Sequence, residues 1–236
     1  MVEPLIDLNN KPIYPNPAFE QAQGMGFTSQ RTRDRLIARL MHHGIQDDEV
    51  LNTMRVVPRH LFMDEALANR SYEDTALPIG YGQTISQPWV VAQMTQWVRG
   101  GRKLDKVLDI GTGSGYQAAI LALLANDVYT VERIEPLQQR AKKVLDGLAL
   151  NNINYHISDG HWGWSLHAPY DAIVCAAAPE TLPESLLEQL KEGGRLVLPI
   201  GGLHQVLKGY EKTSTGVKET FLGEVMFVPL KTGVEA

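Results

Sequence analysis

The stretch Val107-Leu108-Asp109-Ile110-Gly111-Thr112-Gly113-Ser114-Gly115-Tyr116 decides the fold. A short apolar run reads as a buried strand, three alternating glycines follow, and Tyr116 opens a helical pattern. Glycine adopts backbone angles closed to other residues and lets a ligand approach the main chain. A strand, a glycine turn and a helix in that order therefore predict a nucleotide-like pocket at the open end of a parallel sheet.

Downstream, apolar strands are predicted at 106–110, 128–132, 153–158, 172–176 and 195–200, with helices at about 115–125, 134–149 and 182–191 filling the gaps. Alternation of this kind is the signature of a parallel sheet covered on both faces. The tail reads as two antiparallel strands, 205–211 and 219–228, joined through Thr213 to Gly216. Upstream, Ser29 is placed to cap a helix carrying Leu36, Ile37, Leu40 and Met41 on one stripe, which Gly44 ends. A second helix is expected from Asp47 to Val56, then a turn or two through Leu61, Phe62 and Leu67. Residues 77–87, with Pro78, Gly80 and Gly82, read as a loop into a helix over 87–98. Residues 1–27, rich in proline, read as an irregular arm. The expected organisation is that arm, followed by one α/β domain over 28–236: a helical N-terminal part to 99, then a Rossmann-like core over 100–236.

The 236 residues carry 22 Lys plus Arg against 27 Asp plus Glu, a net charge of −5, which argues against a chain built to wrap a phosphate backbone. One cysteine, Cys175, permits no internal disulfide and suits a reduced, cytoplasmic setting. The longest apolar run, Ala118 to Ala125, is far short of the roughly 20 residues that cross a bilayer. The start of the chain has no signal-peptide pattern. Neither nucleic acid nor membrane is an expected partner.

Gly113-x-Gly115-x-x-Ala118 formally fits the dinucleotide fingerprint, but its neighbours argue otherwise. Asp109, at the end of the first strand, is expected to face the ligand and repel a pyrophosphate. Glu132, closing the second strand, is placed to accept bonds from ribose hydroxyls. Asp159-Gly160 after the third strand is placed to flank an adenine ring. Acidic residues after three successive strands suit a nucleoside without phosphate, and S-adenosylmethionine fits. Read blandly, these residues only cap sheet ends; their coincidence at three strands argues against that. The expected cofactor contacts are Asp109, Gly111, Thr112, Gly113, Ser114 and Gly115 on the first turn, with Glu132, Asp159 and Gly160 beyond it.

The second unusual stretch is Leu77-Pro78-Ile79-Gly80-Tyr81-Gly82-Gln83-Thr84-Ile85-Ser86-Gln87-Pro88. With Asp109 to Tyr116, Val131-Glu132-Arg133, Asp159-Gly160, Ala177-Ala178-Pro179 and Gly193 to Gly201, it makes the chain resemble the protein-L-isoaspartate O-methyltransferases from about Thr28 to Leu230. The resemblance implies a class I S-adenosylmethionine-dependent methyltransferase fold with a helical N-terminal addition. It implies methyl transfer to the α-carboxylate of L-isoaspartyl residues in damaged proteins and peptides, Ser86 in the place of the active-site serine, and substrate contacts at Gln83, Thr84, Ile85 and Ser86. The alternatives are a methyltransferase for another small carboxylate or hydroxyl, or a non-catalytic module that binds the cofactor.

The chemistry is consistent with these residues. An α-carboxylate has a pKa near 3.5 and needs no general base at neutral pH. A cationic clamp would stabilise the separated charges more than the transition state that neutralises them, so a neutral hydroxyl suits the task. Locally, Ser86 before Gln87-Pro88 also reads as an ordinary helix cap. Gly80 and Gly82 read either as a turn or as a hinge. The extended run Leu196 to Gly201 is a candidate edge for a peptide main chain. The histidines lack metal-ligand spacing, His60 and Asp64 are placed to pair on a surface, and Cys175 reads as packing. Trp162 and Trp164 read as groove lining or partial core.

Overall fold

A computed structural model describes residues 12–235. The helical N-terminal part begins with a short helix, α1 (Pro17–Gln21), inside the stretch expected to be irregular. The Asn16 side chain accepts from the amides of Ala18 and Phe19 and donates to the Leu148 carbonyl, and Phe19 is fully buried. A pentapeptide with Pro17 at its first helical position and one buried aromatic docks on the body, which local periodicity over so few residues does not reveal. Pro4 lies outside the described residues.

Helices α2 (Gln30–His42) and α3 (Asp48–Val56) follow. Asp47 caps α3 through Glu49 and Val50, whereas the Ser29 side chain caps nothing and lies against the Thr32 hydroxyl. Gly44, at φ 90°, turns the chain out of α2, and Met41 of the expected stripe is 55% exposed. Two 3-10 turns cover 59–62 and 65–70. His60 and Asp64 do not pair. His60 Nδ1 meets the Tyr72 hydroxyl at 3.0 Å and Asp64 caps Ala66, because a 3-10 turn places i and i+4 on different sides.

The stretch expected as a loop is a hairpin. Strands β1 (Leu77–Gly80) and β2 (Gln83–Ile85) pair antiparallel, Leu77 opposite Ile85. Tyr81 and Gly82 both have positive φ, 54° and 67°, the geometry of a two-residue hairpin turn whose twist matches the strands. Pro78 hides the pattern, since it is placed where the strand needs no inner donor. Helix α4 (Pro88–Arg99) follows and ends at Gly100 in the left-handed region.

The core alternates β3 (Leu104–Ile110), α5 (Tyr116–Ala122), β4 (Ala125–Glu132), α6 (Glu135–Gly147), β5 (Ile153–Ile157), β6 (Tyr170–Cys175), α7 (Glu184–Glu188) and β7 (Leu190–Ile200). It closes with β8 (Gln205–Thr213) and β9 (Gly216–Val225). The sheet order is β5-β4-β3-β6-β7-β8-β9, parallel from β5 to β7 and antiparallel thereafter. The chain leaves β3 toward β4 and later returns to β6 on the other side of β3. That reversal opens a crevice at the carboxyl ends of β3 and β6, where open α/β sheets bind ligands.

Side chains alternate across the sheet. Val107, Val128, Val174 and Val197 pack into the core shared with α2 to α6, while Leu108, Ile110, Ile173 and Leu198 face a second cluster with Leu186 of α7. Cys175 is fully buried in that second cluster, and burial pushes its thiol up to about 12. Leu196 to Gly201 is not an edge. Its residues through Ile200 pair with β6 or β8, and the Gly201 amide goes to the Pro179 carbonyl, so the segment has no free ladder to offer a peptide. Trp164 is half-buried against His156 and Tyr129, and Trp162 is exposed.

Candidate active site

Three glycines shape the crevice. The Ile110 strand ends by giving the Gly111 amide to the Val131 carbonyl at 2.8 Å, and Gly111, Gly113 and Gly115 all have positive φ. A Cβ on Gly115 would sit 3.1 Å from both Ala141 and Leu145 of α6, so glycine there lets the turn pack. A crevice of about 890 Å³, mouth included, is lined by the first four turn residues, Gly111 to Ser114, and by Glu132 and Gly160. The hairpin residues Gln83, Thr84, Ile85 and Ser86 form its opposite wall. Two stretches far apart in sequence thus meet in one site.

Glu132 ends β4 with its side chain turned back into the turn. Oε2 accepts from the Gly113 amide at 2.8 Å, and Oε1 accepts from the amides of Arg133 and Ile134. A carboxylate offers about four acceptor positions, so one is left on Oε2. The turn amide that a phosphate would seek is already taken by a carboxylate of this chain.

Asp109 is a correction. It does not line the crevice; it is fully buried beneath the turn, because its side chain follows the strand's inward alternation. Its Oδ2 accepts from the Thr130 hydroxyl at 2.8 Å. Thr130 therefore accepts from Thr112, 2.7 Å away, and Thr112 is left to accept from Gln138. That chain ties the glycine turn to β4 and α6. Burial, with Glu132 adding repulsion, raises the Asp109 carboxyl to about 7, against the pull of Thr130.

Asp159 is likewise absent from the lining and Gly115 packs behind it. Asp159 accepts from the His161 amide and ring and from the Gly233 amide at 2.8 Å. It thereby anchors the tail just beyond a wall the sequence did not reveal. After β9 the chain crosses the sheet end: the Ala178 amide donates to Val228, Leu230 donates back to Ala178, and Phe227 to Lys231 close one side of the crevice. Arg133 fastens the same tail through Gly233 and Glu235. The expected 219–228 strand runs past the true end at Val225 because these apolar residues pair singly, outside any ladder.

Ser86 does not cap α4. Gln87 is the capping position, and the Trp89 amide is taken instead by Asp74 Oδ1 at 2.8 Å. The Ser86 hydroxyl has no hydrogen-bond partner among the described residues, while its carbonyl accepts from Arg59 Nη2 at 2.8 Å. Tyr116 and Gln117, at the start of α5, complete the wall beside it. Arg140 reaches from α6 to the Ile79 carbonyl and ties the hairpin to the core.

The family profile for protein-L-isoaspartate(D-aspartate) O-methyltransferase matches residues 31–235. The chain belongs to this family. A protein-L-isoaspartate O-methyltransferase of Hahella chejuensis is 56% identical over 208 residues, covering 88% of this chain and 99% of that relative. One of Alcanivorax borkumensis is 52% identical over 215 residues, covering 91% and 98%. Among solved structures, one described as a protein-L-isoaspartate O-methyltransferase superposes with TM-score 0.76 at 28% identity, covering 86% of this chain and 67% of that one. The Plasmodium falciparum structure, a putative isoaspartate methyltransferase in complex with S-adenosyl-L-homocysteine, gives TM-score 0.72 at 28% identity and covers 84% and 97%. The isoaspartate methyltransferase fold therefore extends over nearly all the described residues, and the crevice lies inside it.

Proposed function

We propose that this chain transfers a methyl group from S-adenosylmethionine to the α-carboxylate of L-isoaspartyl residues in damaged proteins and peptides. The backbone nitrogen of the following residue then attacks the ester carbonyl, methanol leaves, and water opens the resulting succinimide in part to normal aspartate. Family membership carries the reaction. The observation in the molecule that supports it most directly is a serine hydroxyl with no internal partner, facing the same crevice as the glycine turn.

The crevice fits the cofactor. Gly111 and Gly113 leave main chain bare where a nucleoside must lie close, and Ile110, Val131 and Ile134 give it apolar walls. Glu132 keeps one acceptor position for a hydroxyl. The bound S-adenosylmethionine supplies an electrophilic methyl. Gly111 to Ser114, Glu132 and Gly160 would hold it, while Asp109, Gly115 and Asp159 act one layer behind. On the other wall, Gln83, Thr84, Ile85 and Ser86 would receive the peptide. Ser86 orients an already ionised carboxylate without neutralising it, and such positioning alone can lower a barrier by several kcal/mol, roughly 7 to 11 in ideal cases. No proton needs to move.

Among the described residues no helix is long and apolar enough to cross a membrane. The single cysteine, buried in β6, supports a reduced, cytoplasmic setting for this repair. The test is methyl transfer from labelled cofactor to an isoaspartyl peptide beside its aspartyl twin. Labelling of the isoaspartyl peptide alone is expected. Equal labelling of both peptides, or of neither, would refute the proposal.

A further inference from the structure

Arg59 is wholly buried in the wall behind the crevice. Its Nε donates to the Ser71 carbonyl at 2.9 Å and its Nη2 to the Ser86 carbonyl at 2.8 Å. Its guanidinium lies over the ring of Tyr116, 4.8 Å from the centroid. Nη1 finds no acceptor, and the Tyr116 hydroxyl none either. Ser86 and Tyr116 both line the crevice, so one side chain grips the hairpin's exit and the first residue of the helix after the glycine turn.

No carboxylate lies within ion-pair distance of Arg59 among the described residues, and burying an unpaired guanidinium is costly. Fastening two loops needs only a neutral donor. A charge held at that cost, beside a crevice serine whose hydroxyl has no partner among the described residues, calls for another account. Direct contact between a cation and the substrate carboxylate would deepen the ground state, because the reaction annihilates the negative charge. A cation one layer back avoids that trap. It fixes the Ser86 backbone through the carbonyl and leaves the hydroxyl to meet the substrate.

We propose that Arg59 is a positioning residue for methyl transfer, aiming the Ser86 hydroxyl by clamping the Ser86 carbonyl against Tyr116. Its planar fork suits the task, since it donates to two carbonyls while stacking on a ring, which lysine cannot do at once. The proposal rests on the isoaspartyl methyltransferase reading.

The test compares Arg59→Met, Ser86→Ala and the double variant in single-turnover transfer to an isoaspartyl peptide, with the Kd of S-adenosylhomocysteine measured by calorimetry. Arg59→Met is expected to lower the transfer rate about tenfold or more, with the peptide KM and the Kd each within about threefold of the parent. In the double variant the two losses should not multiply, because both act through one hydroxyl. A smaller loss, a loss carried by KM or Kd, or full multiplication of the two effects overturns the proposal. Should Arg59→Met fail to fold, Arg59→Lys decides: it keeps the charge but not the fork, and a rate loss below about fivefold overturns the proposal. A parent protein that labels no isoaspartyl peptide removes the underlying reading, and this proposal with it. An active parent with an unaffected Arg59 variant removes the proposal alone.

Discussion

The Asp74 carboxylate accepts the amide of Trp89 at 2.8 Å and so caps the helix that starts beside Ser86. A residue 15 positions upstream does the work that the local sequence assigns to the serine. The two roles that Ser86 could combine are therefore separate, and mutation can tell them apart. Asp74→Ala is expected to lower stability by about 1 kcal/mol, the usual value of a cap. Ser86→Ala should leave stability within about 0.5 kcal/mol, as for a change outside the packed core, keep cofactor affinity, and lose most turnover. Denaturant unfolding and single-turnover methylation measure the two effects. Unchanged methylation by Ser86→Ala would remove the serine from the mechanism.

The reason this division is not legible in sequence is that a cap from a distant loop has no spacing rule. The same applies to the tail, where Phe227 to Lys231 wall the crevice through single pairings, and to Arg59, whose partners lie in two loops. What local pattern does carry is the parallel core. Each strand and each glycine with positive φ obeys a constraint acting over a few residues, and Glu132 and Gly111 to Ser114 fall on the crevice for that reason. Asp109 marks the limit. Its place at the end of β3 is readable, but the direction of its side chain depends on strand alternation, and one residue of register turns a ligand contact into a buried support.

Asp109 and His60 act on stability with opposite signs. Asp109 is raised from 3.8 to about 7, so the folded state holds a proton that the unfolded state has released, and stability falls as pH rises from about 4 to 7. His60 is lowered from 6.5 to about 4 by burial and then by Arg33, so the unfolded state binds the extra proton, and stability rises with pH from about 4 to 6.5. The two slopes oppose each other over the shared window. Asp109→Asn should leave a protein whose unfolding free energy, relative to the parent, climbs with pH across that window. At pH 8 it should gain stability, on the order of 4 kcal/mol at most. His60→Gln should show the reverse slope. Identical pH slopes for the parent and both variants, measured by denaturant unfolding, would contradict the assignment.

The closing tail is held by two single backbone bridges, Ala178 with Pro229 and Ile134 with Glu235, and by the side chains of Asp159 and Arg133, with no strand ladder. The Asp159 carboxylate lies somewhat below the usual range, because its bonds from Gly233 and His161 together outweigh a larger opposing effect of burial. Asp159→Ala is therefore expected to loosen residues 231–235 and raise the Kd for S-adenosylhomocysteine about tenfold, with a small loss of stability, since binding must first order the wall. Calorimetry and amide exchange over the tail would measure it. Tail exchange that speeds up without any change in Kd would show that this wall does not hold the cofactor.

Two glycines give a test of the turn against the helix. Gly115 has φ 89°, and a Cβ there would lie 3.1 Å from Ala141 and from Leu145, so Gly115→Ala meets both backbone strain and crowding. A left-handed residue alone costs roughly 1 to 2 kcal/mol. With the crowding, a loss of about 2 to 3 kcal/mol is expected, together with weaker cofactor binding as the turn shifts off α6. Gly147 ends α6, exposed, outside the positive-φ region and with nothing near its missing Cβ. Gly147→Ala should stabilise the protein by about 0.5 to 1 kcal/mol by restricting the unfolded chain, and leave turnover untouched. The comparison reads the turn directly. If both alanines shifted the unfolding midpoint the same way, α6 would not be the surface that Gly115 must approach.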